Sequence, residues 1–413
     1  MARPRLLILI IGHFANAPRA QKEAFAAQKA GFDVFVRGAW TDPRLAAEDL
    51  EIAVSNNIDF APLVDWSQSS TRVNILRGFG WVANQLCKRL DFVTPRAIGR
   101  AAPLMLKTAL SMRPELTMVH SESGLWVAKK LLSKGFRVGV DFEDWFSRDN
   151  FALESGKSVQ SWIAFHENWL VNNATITFAT TEAMCRSLAI DAHSSRVPTA
   201  VPNSFPVETI TSNSRRIIEK KVPQAVSFYW FSQTIGPGRG LERIASVLPR
   251  LHGRWELHIR GNLWHYESWF EKLFQGDWRR NVYIHSPVRN SELPFHTMCH
   301  DVGLALETST VPNKDVTASN KIFEYLRCGL AVIATDTQGQ REVLSKASNA
   351  GMLIENESDS VLQNAMQSLI NDPSILTRMK LSSSLAGRDV WNWSYYEKIV
   401  MESLLQAVCN PVL

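Results

Sequence analysis

At 413 residues, 45% of them hydrophobic and 21% charged, the chain is too long for one ordinary core and too apolar for disorder, so two globular domains are expected. A formal net charge of only +5 suits small anionic ligands or an anionic surface and excludes a dedicated nucleic-acid binder. Five cysteines, scattered and without CxxC spacing, suggest neither a disulfide framework nor a zinc site and fit a reducing compartment.

Leu6 to Ile11 is apolar but too short for a signal peptide and lacks a small-residue cleavage site, so it reads as the first strand. No window is long and apolar enough to span a bilayer. The expected location is the cytoplasm, either free or attached to the inner face of the plasma membrane. Arg5 to Ile11 is followed by a helical pattern from Pro18 to Ala30, ended by Gly31, and then by a strand beginning at Val34. Such a βαβ start predicts a parallel α/β sheet. Gly12 stands alone, so the dinucleotide fingerprint is missing.

Thr71 to Arg113 breaks this rhythm. It carries Arg72, Arg77, Lys88, Arg89, Arg96, Arg100, Lys107 and Arg113 against a single acid, Asp91, with Ile75, Leu76, Phe79, Trp81, Val82, Leu86, Leu90, Phe92, Ile98, Leu104, Met105 and Leu106 interleaved. Two basic amphipathic helices are predicted, divided near Thr94-Pro95. Such helices lie on anionic lipid, each basic residue contributing about 1 kcal/mol near the surface, or they merely turn their charges to solvent.

Leu116 to Val119 is a strand ending at His120, which at such a place is as readily structural as functional. Strands at Val138 to Asp141 and Ala174 to Ala179 follow, with Thr181 capping the next helix. Thr209 to Pro223, polar and without apolar periodicity, reads as a linker. Ala225 to Phe231 opens a second domain. After it, Ser232 to Gly240 holds three glycines that let backbone approach an anion, with Arg239 at a helix start able to pair with phosphate. Trp255 to Arg260 and Val282 to His285 are strands, and Val302 to Leu306 feeds the loop Glu307 to Ala318.

The stretch Ser319 to Asp336 is the richest in signals. Ser319 or Asn320 can cap a helix, Ile322 and Leu326 stand four apart, Gly329 stops the helix, and Leu330 to Thr335 is a buried strand. A helix N-terminus bearing Asn320 and Lys321 combines unpaired N–H groups, a partial dipole and a full charge, which suits phosphate. Glu324, one turn further, is placed to accept from ribose hydroxyls. The plainer alternative is a surface helix with solvated Lys321 and Glu324. A last helix ends at Cys409. Of the 14 tryptophans, core packing is expected for all but Trp264, Trp391 and Trp393, where sugar stacking remains open.

Glu324, Gly329, Val332, Ile333, Ala334 and Asp336, continued by Gly339 and Glu342, resemble the donor-site segment of the group 1 (family 4-like) retaining glycosyltransferases of the GT-B fold. The resemblance implies an α/β architecture of two facing Rossmann-like domains with a cleft between them. An acceptor-side domain would span 1–203, with a C-terminal helix 392–413 packing back on it; a linker would span 204–223 and a nucleotide-sugar domain 224–391. It further implies His120, Arg239 and Lys321 as catalytic residues, His120 by contacting the donor sugar. Gly238, Ser319, Asn320 and Glu324 become donor-binding residues. Arg19 is then directed to phosphate or acceptor, unless it is a solvated helix-start arginine. Glu143, in a segment resembling Asp-x-His-Glu, orients the acceptor hydroxyl or else caps its loop.

The co-substrate implied is a nucleotide diphosphate sugar and the acceptor a glycan or lipid-linked molecule, in cell-envelope polysaccharide or glycolipid synthesis. An anionic membrane surface is a candidate partner through residues 72–113. No cofactor and no metal are expected, since no Asp-x-Asp pair of the metal-dependent kind occurs. Three positions depart from the pattern: Val316 stands where many members have a first Glu, for which Glu307 or Asp315 are substitutes; Gln233 replaces a basic residue; Phe142 replaces a histidine. A non-catalytic nucleotide-sugar-binding scaffold and a GT-B nucleotide-sugar epimerase remain as other readings.

Overall fold

The computed structural model describes residues 3–206, 219–307, 310–355 and 358–409. The chain forms two compact units, Met1–Pro202 with Tyr395–Leu413, and Asn203–Ser394. Of the stretch read as a linker, residues 207–218 lie outside the described residues.

The first unit is built on seven strands: β1 (Arg5–Leu9), β2 (Asp33–Trp40), β3 (Asp59–Asp65), β4 (Leu116–Val119), β5 (Val138–Phe142), β6 (Ile176–Ala179) and β7 (Thr199–Ala200). Their order is β3-β2-β1-β4-β5-β6-β7, with every pairing parallel. Leu6 to Leu9 and all of β4 and β5 are buried, as expected of strands covered by helices on both faces. Strand order reverses between β1 and β4, so the loops leaving their carboxyl ends diverge there. His120 immediately follows β4 at this point.

The basic region of the first unit forms three helices, not two: Thr71–Leu90, Pro95–Ile98 and Ala102–Met112. Asp91 ends the first of them in a left-handed conformation with φ 52°. Val73, Leu76, Gly80 and Ala83 are its buried face. Its outer face exposes Ile75, Phe79, Trp81 and Val82, and Trp81 is 63% exposed. Among the described residues no helix is long and apolar enough to cross a membrane.

The second unit is built on β8 (Val226–Thr234), β9 (Trp255–Asn262), β10 (Val282–His285), β11 (Val302–Ala305), β12 (Ala331–Thr335) and β13 (Gly351–Ile354). They form a parallel sheet of order β10-β9-β8-β11-β12-β13, reversing between β8 and β11. One face carries Phe228, Trp230, Leu257, Ile259, Val302 and Leu304 into the hydrophobic core. Helix Asn320–Arg327 docks on the other face through Tyr325, whose ring lies where a Cβ on Gly303 would be 2.1 Å away. The Tyr325 hydroxyl donates to the carbonyls of Tyr229 and Leu304. Gly303 is therefore what allows this helix onto the sheet, and any side chain there would lift it off.

Two expectations change. Trp391 and Trp393 are buried, Trp391 against the Phe323 ring at 5.4 Å, so neither offers a stacking surface, whereas Trp264 is exposed. The last residues of the supposed linker are pinned to the second unit: Lys221 and Val222 donate backbone N–H groups to Glu256, and Lys220 pairs with Asp301. Buried Glu256 and Asp301 need these donors, which is why the segment is ordered there.

Candidate active site

In the second unit, three segments meet at the carboxyl ends of β8 and β11. The loop after β8 turns through Gly238 (φ 71°) and Gly240 (φ 86°), conformations that favour glycine. A Cβ on Gly240 would stand 2.6 Å from the Leu306 carbonyl, so the loop packs directly on the end of β11. Arg239 is exposed and donates to the Ser232 hydroxyl at 3.2 Å. The indole N–H of Trp230 donates to the Arg239 carbonyl, while the Lys321 ammonium lies 5.8 Å from the Trp230 ring centroid.

Ser319 caps helix Asn320–Arg327, accepting from the Lys321 backbone N–H, and Gly329 follows its end with φ 71°. The helix start therefore points Asn320 and Lys321 to the loop side of β11. There Lys321 Nζ meets Glu307 Oε1 at 2.8 Å. Burial opposes ionisation of Glu307, but Lys321 outweighs it and holds the carboxyl below its ordinary range. Of the two substitutes expected for the missing first Glu, Glu307 faces Lys321, and Asp315 instead accepts from Gln338. Val316 itself is a core residue.

Two donor-site expectations meet a different arrangement. Glu324 is buried and gripped by its own helix: Arg327 donates to Oε2 at 2.7 Å, and the Cys328 thiol donates to Oε1 at 3.6 Å. Arg327 in turn covers the Phe205 ring. A buried carboxylate needs such a cation, so Glu324 is engaged internally and not presented as an open acceptor for ribose. One N–H of the glycine loop, that of Gly238, already donates to Glu242 Oε1 at 2.8 Å. Nothing in the bare glycine spacing signals that carboxylate, although Glu242 lies only four residues on.

In the first unit, Arg19, Glu23, His120, Asp141 and Glu143 form one cluster at the point where β1 and β4 part. Arg19 grips Asp141 through both oxygens, each at 2.7 Å, and donates to the Val201 carbonyl. It is buried, neither solvated nor presented to phosphate, because Asp141 is buried as well and requires the guanidinium. His120 is 2% exposed, with Nδ1 3.1 Å from Glu143 Oε1 and Nε2 3.2 Å from Glu23 Oε2. Glu143 therefore serves His120 and not a loop cap. Both ring nitrogens of His120 are engaged within the unit, so its side chain has no free nitrogen to offer a sugar here.

The charges of this cluster follow from its geometry. Burial works against a charged ring, but Glu23 and Glu143 outweigh it and hold His120 well above its ordinary value. Burial, with Asp141 adding to it against the pull of His120, pushes Glu23 up to about 8. Arg19 and His120 thus face the carboxyl groups of Glu23, Asp141 and Glu143 in one buried network beside the end of β4. Sequence reasoning missed Glu23 and Asp141, since their partners lie 97 and 122 residues away.

Residues 230–372 match the family described as Glycosyl transferases group 1. No curated protein matches the chain. Solved structures share its fold at low identity. The sucrose-phosphate synthase of Thermosynechococcus elongatus superposes with a TM-score of 0.69 at 12% identity, covering 98% of this chain and 100% of that one. Anabaena HepE in complex with UDP-glucose gives 0.69 at 14% identity, covering 98% and 100%. A putative UDP-N-acetylglucosamine 2-epimerase from Listeria monocytogenes gives 0.59 at 11%, covering 98% and 97%. The second unit thus carries a group 1 glycosyltransferase domain, and the chain as a whole shares the GT-B fold of two Rossmann-like domains.

Proposed function

We propose that the protein transfers a hexose from a nucleotide diphosphate sugar to a glycan or lipid-linked acceptor, with retention of anomeric configuration and without a divalent metal. The observation that carries this reading is the meeting of the glycine loop, the Lys321–Glu307 pair and the capped helix start at one sheet reversal. As the anomeric bond breaks, charge grows on the diphosphate. Arg239 and Lys321, with the backbone N–H groups of the glycine loop and of helix Asn320–Arg327, stabilise that charge, and the departing phosphate takes the acceptor proton. Lys321 exchanges Glu307 for phosphate when the donor arrives. Among the described residues Arg239 donates to the Ser232 hydroxyl and to no carboxylate, so none there needs displacing.

HepE, whose structure holds UDP-glucose, supports a uridine nucleotide sugar as the first donor to try. The exposed aromatic and aliphatic face of helix Thr71–Leu90, set among basic residues, supports an acceptor presented at an anionic membrane surface, as in cell-envelope glycan synthesis. The test is incubation of UDP-glucose with lipid-linked and soluble glycan acceptors in EDTA, reading the new linkage by NMR. An α-linked product from the α-linked donor is expected. An inverted linkage contradicts retention, and epimerised nucleotide sugar without transfer makes the protein an epimerase.

A further inference from the structure

The face of the second sheet opposite its hydrophobic core carries a buried nest of imidazoles. Alternation puts Ser227 and Tyr229 of β8, Glu256, His258 and Arg260 of β9, and His285 of β10 on that face, in matched register. His296 and His300 reach it from helix Leu293–Thr297 and the residues just after it, and Glu219 from the segment entering the unit. Glu219 is the hub. Its Oε1 accepts from Arg260 at 2.5 Å and lies 2.6 Å from His296 Nδ1, while Oε2 lies 3.1 Å from His300 Nε2.

We propose that Glu219, His258 and His300 bind a transition-metal ion of the Zn2+ class, which staples the segment entering the second unit to its sheet. Their ligand atoms all lie within 4.8 Å of one another. Two imidazoles and a carboxylate without a thiolate suit Zn2+, Co2+ or Ni2+ and not Mg2+ or Ca2+. The 3.1 Å between Glu219 Oε2 and His300 Nε2 is close to the roughly 3.3 Å separating two neighbouring ligands of a tetrahedral zinc ion. His300 already has the outer partner that a metal-bound imidazole requires, the Ser227 hydroxyl, 2.7 Å from Nδ1.

A second observation points to the same place. His258 Nε2 and Glu256 Oε1 are wholly buried and face each other at 3.2 Å, but among the described residues neither makes a well-aligned hydrogen bond. Buried polar atoms so poorly completed are a mark of an ion or water nearby. Arg260 opposes the site, but it engages Oε1 of Glu219 and leaves Oε2 to the ion, so micromolar and not nanomolar binding is expected. His285, its Nδ1 3.9 Å from Glu219 Oε1, stands at the half-buried rim as a fourth ligand. The other acid–imidazole group, Glu23, His120 and Asp141, lacks this freedom because Arg19 occupies both Asp141 oxygens.

The ligands come from three separate segments with no local spacing, which is why the sequence gives no sign of a metal. The test uses tag-free, EDTA-stripped full-length protein without nucleotide, titrated with Zn2+, Ni2+ and Mg2+ against a chromophoric chelator while thermal unfolding is followed. One Zn2+ per chain, a higher unfolding temperature and no response to Mg2+ are expected. Glu219→Gln and His300→Gln should weaken Zn2+ binding by at least about tenfold. Should both variants fail to fold, Co2+ loading of the wild type decides: an intense four-coordinate visible spectrum is expected, and a pale six-coordinate one overturns the site. Failure of folded wild type to take up Zn2+, or undiminished affinity in folded variants, also overturns it.

Discussion

Lys321 Nζ stands 2.8 Å from Glu307 Oε1, joining the first turn of helix Asn320–Arg327 to the segment that leaves β11. In the proposed reaction this pair neutralises the lysine charge until a diphosphate competes for it. Lys321→Met keeps the bulk and removes the charge, and transfer should fall about 10²–10³-fold, chiefly in kcat. Glu307→Gln removes the competitor, so nucleotide diphosphate should bind more tightly in calorimetry. Weaker binding in that variant would mean that Glu307 assists the donor and does not compete with it.

Arg19 and Asp141 are a fully buried bidentate pair, and the prediction for them concerns folding. Arg19→Ala strips buried Asp141 of its bidentate partner and leaves it His120, 4.0 Å away, as the nearby cation, a loss of about 3–5 kcal/mol for a broken buried pair. Urea denaturation should show that loss, with nucleotide affinity of the remaining folded protein unchanged. A selective loss of nucleotide affinity in a stable variant contradicts the structural role.

What the sequence made legible was local. The cap at Ser319, the stop at Gly329 and the apolar pair Ile322 and Leu326 lie within one helix and its ends, so spacing alone located the element that presents Lys321. The partner of Lys321 is 14 residues away across a loop; Glu307 and Asp315 stood in the sequence only as substitutes for the missing first Glu, and the fold sets Glu307 against Lys321 and Asp315 against Gln338. Arg19 and Asp141 meet across 122 residues, where no periodicity reaches. Glu324 was read as open because a helix wheel shows which side a residue faces and not what packs there. Trp391 and Trp393 were misjudged for the same reason. The alternation Glu256, His258, Arg260 between Trp255, Leu257 and Ile259 was the one overlooked sign of a polar buried sheet face.

Glu167 gives a pH dependence. It is buried and accepts from the Ser147 backbone through both oxygens, yet burial pushes it up to about 8. A carboxyl raised in the folded state contributes stability that is complete below its ordinary value and is lost as pH rises toward 8. The cost at pH 9 is on the order of 4 kcal/mol, reckoned at about 1.4 kcal/mol per pH unit of displacement. Denaturation midpoints of the wild type should therefore fall between pH 5 and 9, and Glu167→Gln should lose much of that slope. An equal slope in the variant contradicts the assignment.

The helix Thr71–Leu90 carries the membrane reading. Vesicles containing anionic phospholipid should sediment the protein at low salt, and neutral vesicles should not. Phe79→Ser with Trp81→Ser removes exposed apolar area without touching Val73, Leu76 or Ala83 on the packed face. Binding should drop with folding intact. Retained binding in that double variant places the contact elsewhere.

Titration of the purified protein with UDP, GDP and ADP, followed by thermal unfolding in the wild type and in Lys321→Met and Arg239→Ala, bears most directly on the donor site. A nucleotide at 100 times its dissociation constant should stabilise by about 2.7 kcal/mol. A rise with one nucleotide, strongest for UDP and lost in both variants, is predicted. No rise with any nucleotide in the folded wild type, or a rise that both variants keep, contradicts a diphosphate held between Arg239 and Lys321.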